Sequence, residues 1–295
     1  MSLRSERFLA LASIDFEGKD LKDLKKMYCD MLKSGMHGLC FSPYMEGQKP
    51  GDQLSEEQVR RRMEIIKPYT KWVRSFSTTE GNELIPKIAK EFGLKTLVGA
   101  WLGDNPEINE KEVAGLVELA NEGYVDVAAV GNEVMYRGDL TEEELLDFIH
   151  RAKRQIKNIP VGYVDAYYEF RERPAITEAC DVILANCYPF WEGCDQDYSL
   201  LYMKDMYNQA LRAGNGKKVI ITETGWPDQG TNLEGAYPSV ENAIKYFINT
   251  QKWSKEEDIE VFYFSSFDES WKVGAEGDVG AYWGIWDKDE KLKFC

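Results

Sequence analysis

Two glutamates each stand directly after a short apolar run, and they lie 90 residues apart in the sequence. Glu133 follows "VAAVGN" (127–132), and Glu223 lies within "VIITETGWP" (219–227). Such runs are typical of buried parallel strands, and a carboxylate at the strand end is fixed by the sheet yet open to a cleft. Either glutamate alone suits a helix-capping or loop-bonding role equally well. Together they favour a carboxylate pair that can transfer protons or attack an electrophilic carbon.

Eight short apolar runs alternate with longer amphipathic stretches, which is the pattern of strand and helix in turn. The chain has 295 residues, no linker-like tract and no glycine-rich nucleotide-binding turn. These features predict an α/β fold, a single-domain (β/α)8 TIM barrel, rather than a doubly wound sheet. We also predict an N-terminal helical extension at about 7–34. The predicted strands are 37–42, 72–77, 95–101, 125–132, 160–166, 182–188, 218–224 and 259–267.

In such a barrel the active site is built at the carboxyl ends of the strands. The residues that follow the predicted strands are polar or aromatic, so they would surround the two glutamates with rings, amides and cations. Arg74 suits a structural role inside the barrel equally well. Trp101, Trp191 and Trp271 suit loop packing equally well. The strand-end residues are Tyr44, Arg74, Trp101, Asn132, Glu133, Asp165, Tyr167, Tyr188, Trp191, Glu223, Trp226, Phe267, Asp268, Glu269, Trp271 and Lys272.

This combination of side chains suits a carbohydrate. Sugar rings present apolar C–H faces that pack on aromatic rings, and their hydroxyls require carboxylate, amide or cationic partners. Two carboxylates that flank a glycosidic bond are the minimum apparatus for its hydrolysis, one as proton donor and one as nucleophile or base. The sequence therefore predicts an enzyme that acts on a neutral polysaccharide or oligosaccharide.

Composition excludes several other classes of partner. The net charge of −15 argues against nucleic acid or a phosphate-rich surface, because both require clustered lysine and arginine. The sequence has no run of about 18 apolar residues, so it predicts no membrane-spanning helix. We expect a monomer. The apolar segment 7–13 is too short to predict a secretory signal. The sequence therefore leaves localisation open between the cytoplasm and secretion with a signal removed.

The six cysteines and two histidines show no metal-ligand spacing. We therefore expect no metal and no cofactor. Reduced thiols are the favoured state of the cysteines in a chain of this length. Pairing of Cys187 with Cys194 across a loop is the alternative.

Several motifs occur together and in order: "FSPYMEGQ", "VRSFS", "GNEV", "NCYPF", "ETGWP", "FDESWK" and "YWGIWD". They resemble glycoside hydrolase family 17, which contains β-1,3-glucanases and related glucanosyltransferases. The resemblance extends from about Gly38 to Asp287. The short loops, including "WEGCDQDYS" (191–199), are similar to those of bacterial or fungal members.

The resemblance implies a retaining enzyme that cleaves β-1,3-glucan, with Glu133 as acid/base and Glu223 as nucleophile. It further implies that Asn132 binds the 2-hydroxyl of the sugar being cleaved and that Tyr188 lies near the nucleophile. We expect the substrate-binding residues to be Tyr44, Arg74, Asn132, Tyr188, Trp226, Phe267, Glu269 and Lys272.

Three alternatives remain open at this stage. A β-1,3-glucanosyltransferase would share every step up to the glycosyl-enzyme, and a retaining β-glucanase of another linkage would use the same carboxylates. A carbohydrate-binding barrel without activity is disfavoured by the presence of both glutamates. Endo or exo action is not specified by the motifs.

Overall fold

The computed structural model describes residue 14 and residues 16–295. Within them, the predicted N-terminal extension contains one helix, α1 (Leu21–Lys33), which begins after Asp20. The Asp20 side chain accepts the backbone N–H of Asp23, so it satisfies one of the free donors of the first turn. Residues 7–13 of the prediction lie outside the described residues.

Eight parallel strands form a closed barrel in which each strand pairs with the next and β1 pairs with β8. This confirms the predicted (β/α)8 barrel. Each strand begins within two residues of its predicted start because the apolar runs mark the buried, parallel part of the sheet. The strands are β1 (Met36–Cys40), β2 (Thr70–Ser75), β3 (Lys95–Ala100), β4 (Val127–Asn132), β5 (Val161–Ala166), β6 (Val182–Asn186), β7 (Lys218–Thr224) and β8 (Val261–Tyr263).

Helices follow the strands and cover the outside of the barrel. Ser55 caps α2 (Glu56–Ile66) through the N–H of Gln58, and Thr141 and Glu144 form a reciprocal capping box at the start of α6 (Glu142–Gln155). Among the described residues, no helix is long and apolar enough to cross a membrane. After α1, the helices are α2 (Glu56–Ile66), α3 (Leu84–Glu91), α4 (Pro106–Asn121), α5 (Val134–Arg137), α6 (Glu142–Gln155), α7 (Glu169–Glu172), α8 (Pro174–Ala179), α9 (Ser199–Gly214), α10 (Val240–Glu256) and α11 (Val273–Glu276).

The last strand is shorter than the predicted 259–267. After Tyr263 the chain no longer pairs regularly with β1, and some of its backbone hydrogen bonds are made with a later segment that contains Trp283 and Trp286. The N–H of Ser265 donates to the carbonyl of Trp283 at 3.0 Å, and the N–H of Trp286 donates to the carbonyl of Ser266 at 2.9 Å. The C-terminal segment therefore joins the top of the barrel beside the predicted site.

The cysteines correct one prediction. Cys29 in α1 is bonded to Cys295 at the C-terminus, with 5.7 Å between their Cα atoms. Cys187 and Cys194 are both free thiols, so the alternative pairing does not occur either. The sequence does not indicate the Cys29–Cys295 bond, because 266 positions separate the two cysteines. They come together only when the closed barrel brings α1 beside the C-terminus.

We expect reduction of this disulfide to lower the stability of the fold by about 2–5 kcal/mol, because the bond limits the freedom of the unfolded chain. Calorimetry of the wild type and of Cys29→Ser, with and without reductant, measures the effect. Cys194→Ser removes a free thiol and serves as the matched control with an unchanged melting temperature. Finding all six thiols reactive in unreduced, denatured protein would contradict the bond.

Candidate active site

The chain turns sharply where β4 ends at Glu133. The β4–β5 register shifts between Ala129 and Asn132, and Gly131 (φ 86°) and Glu133 (φ 52°) both have left-handed backbone. A Cβ at position 131 would lie 3.0 Å from the Val134 side chain, so glycine suits this position. Irregular backbone of this kind changes the direction in which a side chain points at the end of a strand. Here the Glu133 carboxylate accepts a hydrogen bond from Asn186 Nδ2 at 2.8 Å.

Glu223, in β7, lies within the same group of side chains. Its Oε1 is 2.5 Å from Arg74 Nη1, and its Oε2 accepts a hydrogen bond from the Tyr188 hydroxyl at 2.8 Å. The other nitrogen of the Arg74 guanidinium, Nη2, donates to Asn132 Oδ1 at 2.6 Å. Asn186 lies opposite Glu223 in the β6–β7 register. Side chains from four strands and the loop after β6 therefore surround the two glutamates.

The Arg74 side chain is fully buried beneath these groups. Its guanidinium lies 4.3 Å above the centre of the Phe76 ring, and Nη1 also donates to the carbonyl of Thr222 at 3.0 Å. A cation held in this way stabilises the negative charge of Glu223 in surroundings that contain little water. Arg74 is therefore both a structural partner inside the barrel and a direct contact of the site.

The two carboxylates have different electrostatic surroundings. Burial, followed by the nearby charge of Glu223, raises the pKa of Glu133 to about 7, and the hydrogen bond from Asn186 opposes the rise. Glu223 forms an ion pair with Arg74, whereas the Glu133 carboxylate is bonded to the neutral amide of Asn186. Environments that separate two carboxylates in this way suit one to donate a proton and the other to act as an anion.

Both glutamates open into a single cleft of about 620 Å³ at the carboxyl ends of the strands. This is the size range of small-molecule binding sites. Its walls combine aromatic rings with four carboxylates, and no lysine or arginine is among the described residues that line it. Such a surface disfavours an anionic ligand. The lining residues are Glu133, Tyr136, Ala166, Tyr167, Tyr168, Asn186, Tyr188, Trp191, Glu192, Glu223, Phe264, Ala275, Glu276 and Trp283.

Three predicted substrate-binding residues, Tyr44, Glu269 and Lys272, are not among the residues that line the cleft. Lys272 forms a 2.7 Å ion pair with Glu269, and its ammonium lies 3.9 Å from the centre of the Phe264 ring, which lines the cleft. Tyr44 is mostly buried, and its ring meets the edge of the Trp271 ring. Lys272 therefore supports the cleft wall through Phe264, and contact of all three residues with substrate remains a prediction.

Trp226 and Phe267 occupy the core instead of the cleft surface, which corrects their predicted role. The Trp226 ring packs between Phe190 and Tyr246, and its Nε1 donates to the carbonyl of Tyr237. Phe267 is fully buried under the Arg62 guanidinium, at 4.3 Å from the ring centre. A position just after a strand does not specify the direction of a side chain. Both side chains are therefore part of the core.

Sequence reasoning also missed residues that the fold brings to the site. Asn186 is part of "NCYPF" at the end of β6, where position alone could have identified it. Trp283 comes from the C-terminal segment, and its ring contacts those of Tyr188 and Trp191. No strand-end rule finds such a residue, because it reaches the cleft from outside the barrel strands.

Comparison with known proteins identifies the family of the chain. A family model described as the BtgE/BtgC glycoside hydrolase domain matches residues 38–284. The chain belongs to this glycoside hydrolase family. A glucan 1,3-beta-glucosidase of Saccharomyces cerevisiae is 28% identical over 285 residues, covering 83% of this chain and 86% of that protein. A glucan endo-1,3-beta-glucosidase of Emericella nidulans is 24% identical and is covered over 48% of its length.

A solved structure resembles this glycoside hydrolase chain over most of its length. An active-site mutant of the Rhizomucor miehei β-1,3-glucanosyltransferase in complex with laminaritriose has a TM-score of 0.79 and 29% identity, covering 88% of this chain and 96% of that one. An endo-laminarinase from Formosa has a TM-score of 0.73 at 20% identity, which shows the shared fold alone. The resemblance to glycoside hydrolase family 17 is therefore confirmed, with fungal proteins among the relatives.

Proposed function

We propose that this protein is a retaining glycoside hydrolase that cleaves β-1,3-glucan. The observation that carries the proposal is the pair of strand-end glutamates in one cleft. Glu223 is bonded to the buried Arg74, and Glu133 accepts a hydrogen bond from Asn186. The substrate class is supported by the names of the relatives, which include glucan 1,3-beta-glucosidases. The acidic, aromatic cleft suits a neutral glucan.

In the proposed first step, a Glu223 oxygen attacks the anomeric carbon while Glu133 gives its proton to the departing glycosidic oxygen. The bond to the leaving sugar breaks, and a glycosyl ester forms on Glu223. In the second step, Glu133 takes a proton from water, and the water oxygen displaces Glu223 from the anomeric carbon. Two inversions leave the configuration unchanged.

Asn132 is well placed to bind the sugar during both steps. Its Oδ1 accepts from Arg74 Nη2 at 2.6 Å, which orients the amide so that its Nδ2 hydrogens can donate to a ligand. We propose the 2-hydroxyl of the cleaved sugar as that partner. Hydrogen bonds at this hydroxyl strengthen as the transition state forms. Tyr188, which donates to Glu223, would hold the nucleophile in line.

The test of the proposed function is cleavage of laminarin with products followed by size and by anomeric configuration over time. We expect laminari-oligosaccharides whose first-formed reducing ends are β. An α anomer formed first would contradict retention. Cleavage of β-1,4 or β-1,6 glucans in place of laminarin would replace the proposed linkage, and binding without cleavage of any of them would favour a binding protein.

Glucanosyl transfer is the second candidate, since the Rhizomucor miehei neighbour is a β-1,3-glucanosyltransferase. Both activities share the glycosyl-enzyme, and they differ in whether water or a sugar hydroxyl attacks it. Trp191 is 40% exposed, lines the cleft and packs on Trp283. An open indole at this place can hold an acceptor sugar against the competing water.

We expect Trp191→Ala to lower the ratio of transfer to hydrolysis by about fivefold to tenfold. An aromatic contact contributes on the order of 1 kcal/mol beyond burial, and about 1.4 kcal/mol changes a partition ratio tenfold. The measurement is the yield of products longer than the substrate at high laminari-oligosaccharide concentration. Trp101→Ala, another exposed tryptophan that is absent from the cleft lining, is the control. Equal ratios in both variants would exclude Trp191 as the acceptor platform.

We expect Glu133→Gln to lower kcat on laminari-oligosaccharides by about 10²–10⁴-fold, because glutamine cannot donate the proton. The pKa of Glu133, raised to about 7, keeps the acid protonated below neutrality, so wild-type activity should fall as pH rises through that value. This alkaline limb should be absent from the variant when an aryl glycoside with an activated leaving group is used. An unchanged limb would remove Glu133 from the acid role.

A further inference from the structure

The mechanism above leaves one buried carboxylate unused. Asp165, in β5, is completely buried. It accepts hydrogen bonds from the Tyr163 hydroxyl, from the N–H of Ala166 at 2.8 Å and from the N–H of Tyr136 at 3.3 Å. Burying a carboxylate is costly unless its bonding is well satisfied, so its presence here indicates a role beyond packing.

Tyr163 shares this arrangement. It lies two positions before Asp165 in β5, so both side chains point to the same face of the strand. The Tyr163 hydroxyl donates to Asp165 and accepts the backbone N–H of Met135 at 2.9 Å. The Tyr163–Asp165 pair therefore binds two consecutive N–H groups, those of Met135 and Tyr136, in the turn that directly follows Glu133.

The backbone conformation of Glu133 is one that neighbouring contacts must stabilise. With φ 52° and ψ 30°, Glu133 is left-handed, a conformation that a residue other than glycine keeps only when its surroundings impose it. Its own N–H donates to the carbonyl of Val164 in β5 at 2.8 Å. β5 thus bonds the left-handed residue itself through the Val164 carbonyl, and it bonds the two N–H groups that follow through the Tyr163–Asp165 pair.

We propose that Tyr163 and Asp165 are positioning residues that clamp the turn after Glu133 and so fix the direction of its carboxyl group in the cleft. The proposal rests on the proposed function in one respect, namely the acid/base role of Glu133. Neither residue of the pair lines the cleft, so both would act through the backbone rather than on the substrate.

The pair also acts on Glu133 through charge. The charged and titratable groups that face Glu133 are Glu223 in β7, Asp165 in β5, Tyr188 after β6 and Arg137 in its own turn. After burial and Glu223, the charge of Asp165 also raises the pKa of Glu133, whereas Arg137 lowers it. Removal of the Asp165 charge should therefore lower the pKa of the acid and move the alkaline limb of activity to lower pH.

The experiment compares Tyr163→Phe and Asp165→Asn with the wild type on two substrates. On laminari-oligosaccharides we expect kcat to fall about 10–100-fold with KM nearly unchanged, because a displaced acid mainly affects the reaction step. On an aryl β-glycoside with an activated leaving group, which requires little protonation, the loss should be much smaller. Asp165→Asn should also show the alkaline limb at lower pH.

Amide hydrogen exchange gives a second measurement that needs no activity. In Tyr163→Phe the N–H of Met135 loses its acceptor, so we expect it to exchange at least about tenfold faster. Asp126→Asn is the matched control, because Asp126 also accepts a backbone N–H, from Thr96 at 2.7 Å, next to the start of β4. It should leave kcat, the pH profile and the exchange of Met135 and Tyr136 unchanged.

The outcomes separate the two proposals. If the wild type fails to cleave laminarin, the proposed function fails, and the exchange measurement still decides whether the pair clamps the turn. Equal losses on both substrates, together with unchanged exchange at Met135 and Tyr136, would overturn the positioning role. If Tyr163→Phe does not fold, Asp165→Asn decides through its pH profile and the exchange of Tyr136.

Discussion

Glu223→Ala is expected to lose laminarin cleavage by about 10⁴-fold or more, because alanine lacks the carboxylate that would form the glycosyl ester. Initial rates on laminarin and on an activated aryl glycoside measure the loss. The loss should be nearly as large on the activated substrate, since a good leaving group cannot replace a missing nucleophile. Wild-type rates in this variant would end the proposal that Glu223 attacks the anomeric carbon.

Azide distinguishes the roles of the two glutamates. In Glu223→Ala, azide can occupy the space of the lost carboxylate and attack the anomeric carbon once, so the glycosyl azide should have the inverted, α configuration. In Glu133→Gln, Glu223 still forms the ester and azide attacks it in the second step, so the product should be β. The opposite pair of configurations would exchange the two assignments.

Folding of the Glu223 variants requires its own control. Removal of the carboxylate leaves the buried guanidinium of Arg74 without its ion-pair partner, so part of a measured loss could be structural. Glu223→Gln keeps an oxygen acceptor for Arg74 and has nearly the same shape. It should fold more stably than the alanine variant, bind laminari-oligosaccharides and remain inactive. Retained binding without turnover separates the nucleophile from the cleft walls.

The sequence was informative wherever position in the barrel determines environment. Glu133 and Glu223 lie in one cleft, as the sequence predicts, because parallel strands all end at one rim and a carboxylate near the end of an apolar run is held at that rim. Position alone failed for Trp226, because its direction depends on packing against Phe190 and Tyr246. The same spacing rule therefore places these two carboxylates in the cleft and misplaces aromatic rings.

Other features depend on contacts between distant segments. The bond between Cys29 and Cys295 joins positions 266 apart, and Trp283 enters the cleft from a segment that pairs with the chain after β8. The sequence places Asp165 at a strand end, but the role proposed for it depends on the turn after Glu133. That turn is left-handed in the structure, and nothing in "GNEV" alone specifies this.

Arg74→Met is expected to destabilise the fold by about 3–5 kcal/mol, because it removes one partner of a buried ion pair and leaves the other charge uncompensated. The side chains of Arg74 and Glu223 are 2% and 8% exposed, so water would compensate the carboxylate charge poorly. Activity should fall by about 10²–10³-fold or more, since Asn132 also loses the donor that orients its amide. Chemical denaturation and kinetics on laminari-oligosaccharides measure the two effects.

A double-mutant cycle assigns this loss to the charge pair. If the uncompensated carboxylate causes the instability, Arg74→Met combined with Glu223→Gln should be more stable than Arg74→Met alone, although both remain inactive. Arg60→Met removes an exposed arginine that pairs with Glu56 and Glu91, and it should leave stability and activity nearly unchanged. Additive effects of the Arg74 and Glu223 changes would instead indicate that Arg74 stabilises the barrel through Thr222 and Phe76, independently of the nucleophile.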